Sequence, residues 1–295
     1  MNSIGGAAQT YLVYRPDVWS PYIDRLFKEK LTAQKFFKDY SDYVTEGGKS
    51  IMIPSDAIYT VTSVTTTTGD VTGNLVTDTR TILDINTWKA VTRVFADFQA
   101  AQVAKNYRIK EVYAENMAHA LAKSLDTDLF ALATATNISR VVNASTAGLK
   151  SSDLEAAIGI IESYNIPREE CAFFFAPKAY YSEVLSVQKL YDASQFGKAS
   201  LITGNQDQIY GVPVFLTNDL PASNASIEGG AHRNLLIHSR AFAYALGNLP
   251  GGTPSGVRMQ EKASENLRVT VVADIMYGVK KVGNSYRGVR LISKN

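Results

Sequence analysis

Asp126 and Asp128, two residues apart, come closest in this chain to a paired-carboxylate centre. Such pairs work as metal dyads or acid–base couples when both groups face one cleft. These two lie in a stretch with helical spacing, where residues two apart face different directions. They read as solvated or paired acids. The chain has three histidines: His119 inside the same helical stretch, His232 in a loop and His238 at a strand end. None stands at a metal-ligand spacing, and His238 beside Ser239 makes no triad, because a triad is defined by geometry in space. Gly251-Gly-Thr-Pro-Ser-Gly256 is glycine-rich, but Pro254 removes an N–H that a phosphate cradle would use, so the stretch reads as a turn. Glu169 and Glu170 follow Pro167 in a turn and read as surface charge. Cys171 is the single cysteine, which precludes an internal disulfide. Its neighbours Ala172-Phe-Phe-Phe175 mark a buried thiol at the start of a core strand. The sequence offers no catalytic, cofactor-binding or metal-binding residue, and the expectation is a protein that is not an enzyme.

The composition is that of a soluble globular protein, with 45% hydrophobic and 20% charged residues. At 295 residues the chain has material for one large domain or two modest ones. A formal net charge of +2 is too small for a broad nucleic-acid grip. No apolar run of about 18 residues is present to span a membrane. The start, Met1-Asn-Ser-Ile-Gly-Gly-Ala-Ala, lacks a secretory pattern, so a cytosolic product is expected.

The elements follow from spacing. Residues 1–46 read as an arm, with a helix start at Ser20-Pro21 and an apolar stripe of Tyr22, Ile23, Leu26 and Phe27. Trp19, Phe36, Phe37, Tyr40 and Tyr43 crowd the same arm, which therefore needs a surface to cover. Residues 47–96 turn Thr- and Val-rich around Thr60-Val-Thr-Ser-Val-Thr-Thr-Thr-Thr-Gly69, a pattern of strands and turns that reads as a projecting hairpin. Residues 107–135 keep three- and four-residue apolar spacing without Gly or Pro, which predicts a helix roughly 40 Å long. From Ser151 the pattern is α/β: a helix with Ser151 as its cap, a buried strand at Phe173-Phe-Phe-Ala176, and a helix from Pro177 through Leu185. A strand follows at Ile209-Tyr-Gly-Val-Pro-Val-Phe-Leu, then Asn234-Leu-Leu-Ile-His238, a long strand Leu267–Val279 and a short one Gly288–Ile292.

That succession resembles the major capsid proteins of tailed phages, the family with the Hong Kong 97 shell fold. The resemblance rests on the order of Gly48 to Pro54, the Thr/Val hairpin, Leu83-Asp-Ile-Asn-Thr-Trp-Lys89 and Asp97-Phe-Gln-Ala-Ala-Gln102. It continues through Ala120-Leu-Ala-Lys-Ser-Leu-Asp-Thr-Asp-Leu-Phe130, Ala176-Pro-Lys-Ala-Tyr-Tyr181, Tyr210-Gly-Val-Pro-Val214 and Tyr277-Gly-Val279. The pattern is nearest that of short-tailed-phage coat proteins. It implies an α+β fold: arm (1–46), extended β-hairpin loop (47–96), peripheral domain with a spine helix (97–143) and apical domain (144–255). Return strands of the peripheral domain (256–281) and a strand closing the apical domain (282–295) complete it.

The implied function is a shell subunit, arranged as pentamers and hexamers around packaged double-stranded DNA touched non-specifically. The implied partners are further copies of itself, a separate scaffolding protein, a portal and a decoration protein, with no membrane and no cofactor. The implied location is the virion, after synthesis in the host bacterial cytoplasm. A near-neutral charge is compatible with a container whose genome must stay mobile. Subunit contacts are expected at Trp19, Tyr22, Phe27 and Phe36 of the arm and at Thr66, Thr67 and Gly69 of the hairpin. The crosslinking chemistry of some members places no residue here; Lys49 lies near the hairpin without an identifiable partner. Two alternatives stand beside this reading: an encapsulin-type bacterial nanocompartment shell, and a cytosolic α/β enzyme using residues 151–221.

Overall fold

The computed structural model describes residue 28 and residues 31–44, 49–55, 79–96, 107–143, 148–185, 208–220, 232–249, 257–264 and 268–293. In chain order it begins with α1 (Ala33–Phe36), β1 (Lys38–Asp39), β2 (Ser50–Ser55), β3 (Thr79–Asp84) and β4 (Thr87–Ala96). The long helix α2 (Tyr107–Ala131), β5 (Arg140–Asn143), α3 (Ser151–Ser163) and β6 (Cys171–Phe175) follow. Then come β7 (Gln208–Ile209), β8 (Val212–Leu216), β9 (His232–His238), β10 (Phe242–Leu246), β11 (Val257–Ser264), β12 (Arg268–Lys281) and β13 (Gly288–Ser293).

These strands make two large sheets and a two-stranded ladder. In the five-stranded sheet β12 is the axis: β10 and β11 pair with it antiparallel, β4 also pairs with it antiparallel, and β1 joins β10 in parallel. The six-stranded sheet runs β5-β13-β9-β6-β8-β7. The ladder pairs β2 with β3, from Ser50 opposite Asp84 to Ser55 opposite Thr79.

Period-two alternation along β12 sets the first core. Ala273, Ile275 and Tyr277 face inward and are buried, meeting Met117, Leu121, Leu125 and Leu129, a four-residue stripe along α2. β6 is buried at every position because both its faces are covered. Phe173 and Phe175 face Leu154, Ala157, Ile158 and Ile161 of α3, while Phe174 faces the core that α2 shares with the five-stranded sheet. Each such ring contributes on the order of 2–3 kcal/mol by leaving water. The two cores thus lie on opposite faces of one sheet.

Four local readings change, the simplest being His232, which opens β9 and does not lie in a loop. The α3 cap is Lys150, with Ser151 as the first helical residue; the Lys150 N–H donates to Asp153 Oδ2 at 2.9 Å. Asp153 is better placed than Ser151 because a carboxylate three residues into a helix reaches back to the preceding N–H. The Ile209–Leu216 strand is a tight hairpin, turning at Tyr210 (φ 52°) and Gly211 (φ 81°) between β7 and β8. Two successive positive φ values match the right-handed strand twist. The helix from Pro177 holds its α form only to Ala179 and widens into a π turn over Tyr180–Val184. The segment Gly251–Gly256 lies outside the described residues.

Gly278 allows β12 to pass against the end of β3, since a Cβ there would stand 2.1 Å from the Asp84 carbonyl oxygen. The obstacle is backbone, so neither side yields cheaply. Gly278→Ala is expected to cost about 3 kcal/mol or more, measured by urea denaturation of the purified chain. No loss, or the gain of about 0.5–1 kcal/mol that replacing a strand glycine by alanine gives where space allows, would contradict this close approach.

Candidate functional site

Of the residues expected at subunit contacts, Trp19, Tyr22, Phe27, Thr66, Thr67 and Gly69 lie outside the described residues. Phe36 is described and half-buried in its own subunit, its ring centroid 5.3 Å from that of Phe174 and 6.1 Å from that of Phe215.

The structure assembles a site that the sequence does not announce, where residues 31–40 enter the joint between the two sheets. Phe37 is the centre of it. Its ring lies 5.2 Å from Phe242 of the five-stranded sheet, 6.1 Å from Phe174 of the six-stranded sheet and 6.2 Å from Phe130 of α2. Asp126, fully buried on α2, accepts the backbone N–H groups of Thr32 at 2.8 Å, Ala33 at 3.0 Å and Gln34 at 3.2 Å. These N–H groups open α1 and have no helical partner of their own. A buried carboxylate with three donors is satisfied and adds charge-assisted bonds.

Gln34 extends the anchorage, its Nε2 donating to the Ala122 carbonyl at 2.7 Å. Its own carbonyl accepts the Tyr244 hydroxyl at 3.0 Å. The Tyr40 N–H then donates to the Tyr244 carbonyl at 2.9 Å, continuing the pairing of β1 with β10. One signal for Asp126 was present: it stands four residues before Phe130, on the buried side of α2. Its partners are main-chain groups 92 to 94 residues away, which no side-chain pattern reveals.

Asp128 has a separate task. Its Oδ2 accepts Lys89 Nζ at 2.8 Å and the Tyr277 hydroxyl at 2.5 Å, tying α2 to β4 and β12. Burial pulls the Lys89 pKa down, but the bonds to Asp128 and Tyr277 together outweigh it and the net shift is upward. Tyr277 is also raised, by burial first and then by Asp128. Asp126 and Asp128 therefore diverge as expected and are both partnered, neither left to solvent.

On the other face of β12, Asp274 receives Arg258 Nε at 3.0 Å, Arg258 Nη2 at 2.6 Å and Trp88 Nε1 at 3.0 Å. The Arg258 bonds, with help from Trp88, hold its carboxyl below the usual range. This one carboxylate joins β4, β12 and β11. Trp88, Ala90, Thr92 and Val94 are exposed on that face of β4. Met52 and Ile82, cross-strand neighbours in the β2–β3 ladder, are exposed on its outer side.

Chemically the site binds one segment of the chain to another. Cys171 is buried, and burial followed by Glu170 and Glu169 pushes its thiol up to about 12, away from nucleophilic use. Among the described residues no three His, Cys, Asp or Glu groups converge as metal ligands, and no helix is long and apolar enough to cross a membrane. Asp126→Ala strands three N–H groups and is expected to cost about 3 kcal/mol or more. Hydrogen exchange at Thr32, Ala33 and Gln34 should rise well ahead of exchange in β12; equal protection in the variant would refute the anchorage.

No protein-family model matches the sequence, and no curated protein matches it. Solved structures do match. A chain from the capsid of Cyanophage P-SCSP1u superposes with a TM-score of 0.73 at 16% identity, covering 96% of this chain and 94% of that one. A chain of Mycobacterium phage Che8 gives 0.71 at 17% identity, over 96% and 98%. The capsid of the native GTA particle gives 0.71 at 14% identity, over 100% of both chains. From end to end, this chain has the fold of tailed-phage capsid subunits.

Proposed function

We propose that this chain is a major capsid protein, which self-assembles into an icosahedral head shell enclosing double-stranded phage DNA. The observation that carries the reading is the end-to-end correspondence, 100% of this chain against 100% of a subunit from a capsid of the native GTA particle. Fold alone permits many functions, and the support here is that the likeness runs over the whole length of both chains. The arrangement of side chains supports it too. The polar clusters at Asp126, Asp128 and Asp274 join elements of the chain, and exposed apolar side chains sit on sheet faces, at Trp88, Val94, Met52 and Ile82.

In this reading α2 with β4, β11 and β12 forms the peripheral domain and the six-stranded sheet with α3 forms the apical domain, which moves β4 out of the stretch expected as extended loop (47–96) and β5 out of the stretch expected as peripheral (97–143). The arm and the segment between β2 and β3 reach neighbouring copies through Trp19, Tyr22, Phe27, Phe36, Thr66, Thr67 and Gly69. Many modest contacts summed over a closed lattice hold such a shell. A separate scaffolding protein guides assembly, a portal occupies one vertex, a decoration protein binds outside, and DNA is held without sequence preference. The protein is made in the bacterial cytoplasm and ends in the virion.

Negative-stain electron microscopy tests this on protein expressed with and without candidate scaffolding proteins. Closed shells, tubes or hexameric sheets are expected; small compact oligomers under every condition would overturn it. Phe27→Ala should weaken assembly more than it weakens subunit folding, read by particle yield against the thermal midpoint of dissociated subunits. An equal loss in both would remove Phe27 from the contacts.

A further inference from the structure

We infer that the crossover joining the two large sheets is a proton-sensitive latch, closed by the neutral imidazole of His238 and released when that imidazole is protonated. The chain leaves the six-stranded sheet at His238 and enters the five-stranded sheet at Phe242, so Ser239–Ala241 is a direct link between them. The return link from β12 to β13 runs beside it. The Val282 N–H donates to the Ala241 carbonyl at 2.8 Å, and the His238 N–H donates to the Arg287 carbonyl at 2.9 Å. Arg287 Nη1 donates to the Arg240 carbonyl at 2.9 Å.

The imidazole closes this joint with both ring nitrogens. Nδ1 accepts the Arg240 N–H at 3.0 Å, and Nε2 stands 3.0 Å from Glu170 Oε2. A nitrogen that accepts carries no proton, so the geometry belongs to the neutral ring, with Nε2–H donating to Glu170. The Ser239 N–H reaches the Glu170 carbonyl at 3.0 Å, which ties the crossover to the start of β6. Glu170, read from sequence as surface charge, is therefore the second half of the latch.

Protonation reverses the balance. Nδ1 then carries a hydrogen facing the hydrogen of the Arg240 N–H, and that bond is lost. The charges around the ring come from three sides: Glu170 from the turn before β6, Arg240 from the crossover and Arg287 from the turn before β13. The Cys171 thiol lies opposite on the paired strand. Glu170 favours the imidazolium, while burial above all, then Arg287 and Arg240, disfavours it, and the net shift is below 6.5. For a depressed folded value the sign is fixed. The latch is fully closed above 6.5 and is lost as pH falls through the lower folded value. The rings that hold Phe37 in the shared core, Phe130, Phe174 and Phe242, are not ionisable, so the release is local to the crossover and to Glu170.

Hydrogen exchange with mass spectrometry on the full chain tests this, between about pH 8 and about pH 5 and corrected for the intrinsic pH dependence of exchange. Protection of peptides covering 236–244 should fall about tenfold, the scale of one lost hydrogen bond, while peptides from β12 keep theirs. His238→Asn keeps an acceptor near the Nδ1 position and cannot titrate, so its protection should be flat with pH. Glu170→Gln removes the attraction that favours the proton, so its transition should move to lower pH. The latch is overturned by a flat wild-type profile, by a wild-type profile persisting in His238→Asn, or by an unmoved midpoint in Glu170→Gln.

Discussion

Everything in this subunit depends on filling the joint between two sheets that no single strand pairing connects. A sheet buries only the residues of its own faces, and where two sheets share one core the space between them must be filled. Phe37 closes it, with Phe130, Phe174 and Phe242 around its ring. The residue comes from a segment that makes almost no secondary structure of its own: a four-residue helix and a two-residue strand. Asp126 is what makes such a segment dock, because the first N–H groups of α1 would otherwise be buried without acceptors. Burial of Phe37 and satisfaction of these N–H groups support one another, since neither is available unless the other is in place.

From that joint the two layers diverge in character. The six-stranded sheet is covered on both faces, by α3 on one side and by the shared core on the other, so the Phe173–Phe175 run is buried throughout. The five-stranded sheet has its inner face under α2, while β4 presents Trp88, Ala90, Thr92 and Val94 outward. Pairing along β12 lets one long strand carry β4, β10 and β11, and the Asp274 carboxylate ties three of these four strands at one level. An internally rigid unit with open apolar faces suits repeated contact with copies of itself.

Periodicity made much of this legible. Three- and four-residue spacing over 107–135 gave α2, the stretch Leu267–Val279 read as one long strand and is β12, and the Phe173–Ala176 run gave a buried strand. Cys171 was placed correctly by its neighbours. The failures have physical causes. Tyr210 is not a residue that ordinarily marks a turn, so the β7–β8 hairpin looked like one strand; its φ of 52° is visible only in three dimensions. Asp126 looked like an ordinary helix acid because its partners are main-chain groups distant in sequence. Glu170 looked like surface charge because its contact with His238 exists only through the pairing of β6 with β9, which sets Cys171 opposite His238.

The proposed reading as a shell subunit brings these features to one purpose: a unit braced by polar clusters that join its own elements, with apolar side chains exposed on its sheet faces. Its most direct test is the mass of the assembled species, by charge-detection mass spectrometry of material purified from cells that express the chain with and without candidate scaffolding proteins. With a subunit of 32.2 kDa, the account predicts megadalton particles whose subunit number is one allowed for a closed icosahedral shell. A population of small oligomers alone, with no particle of that class, would contradict it.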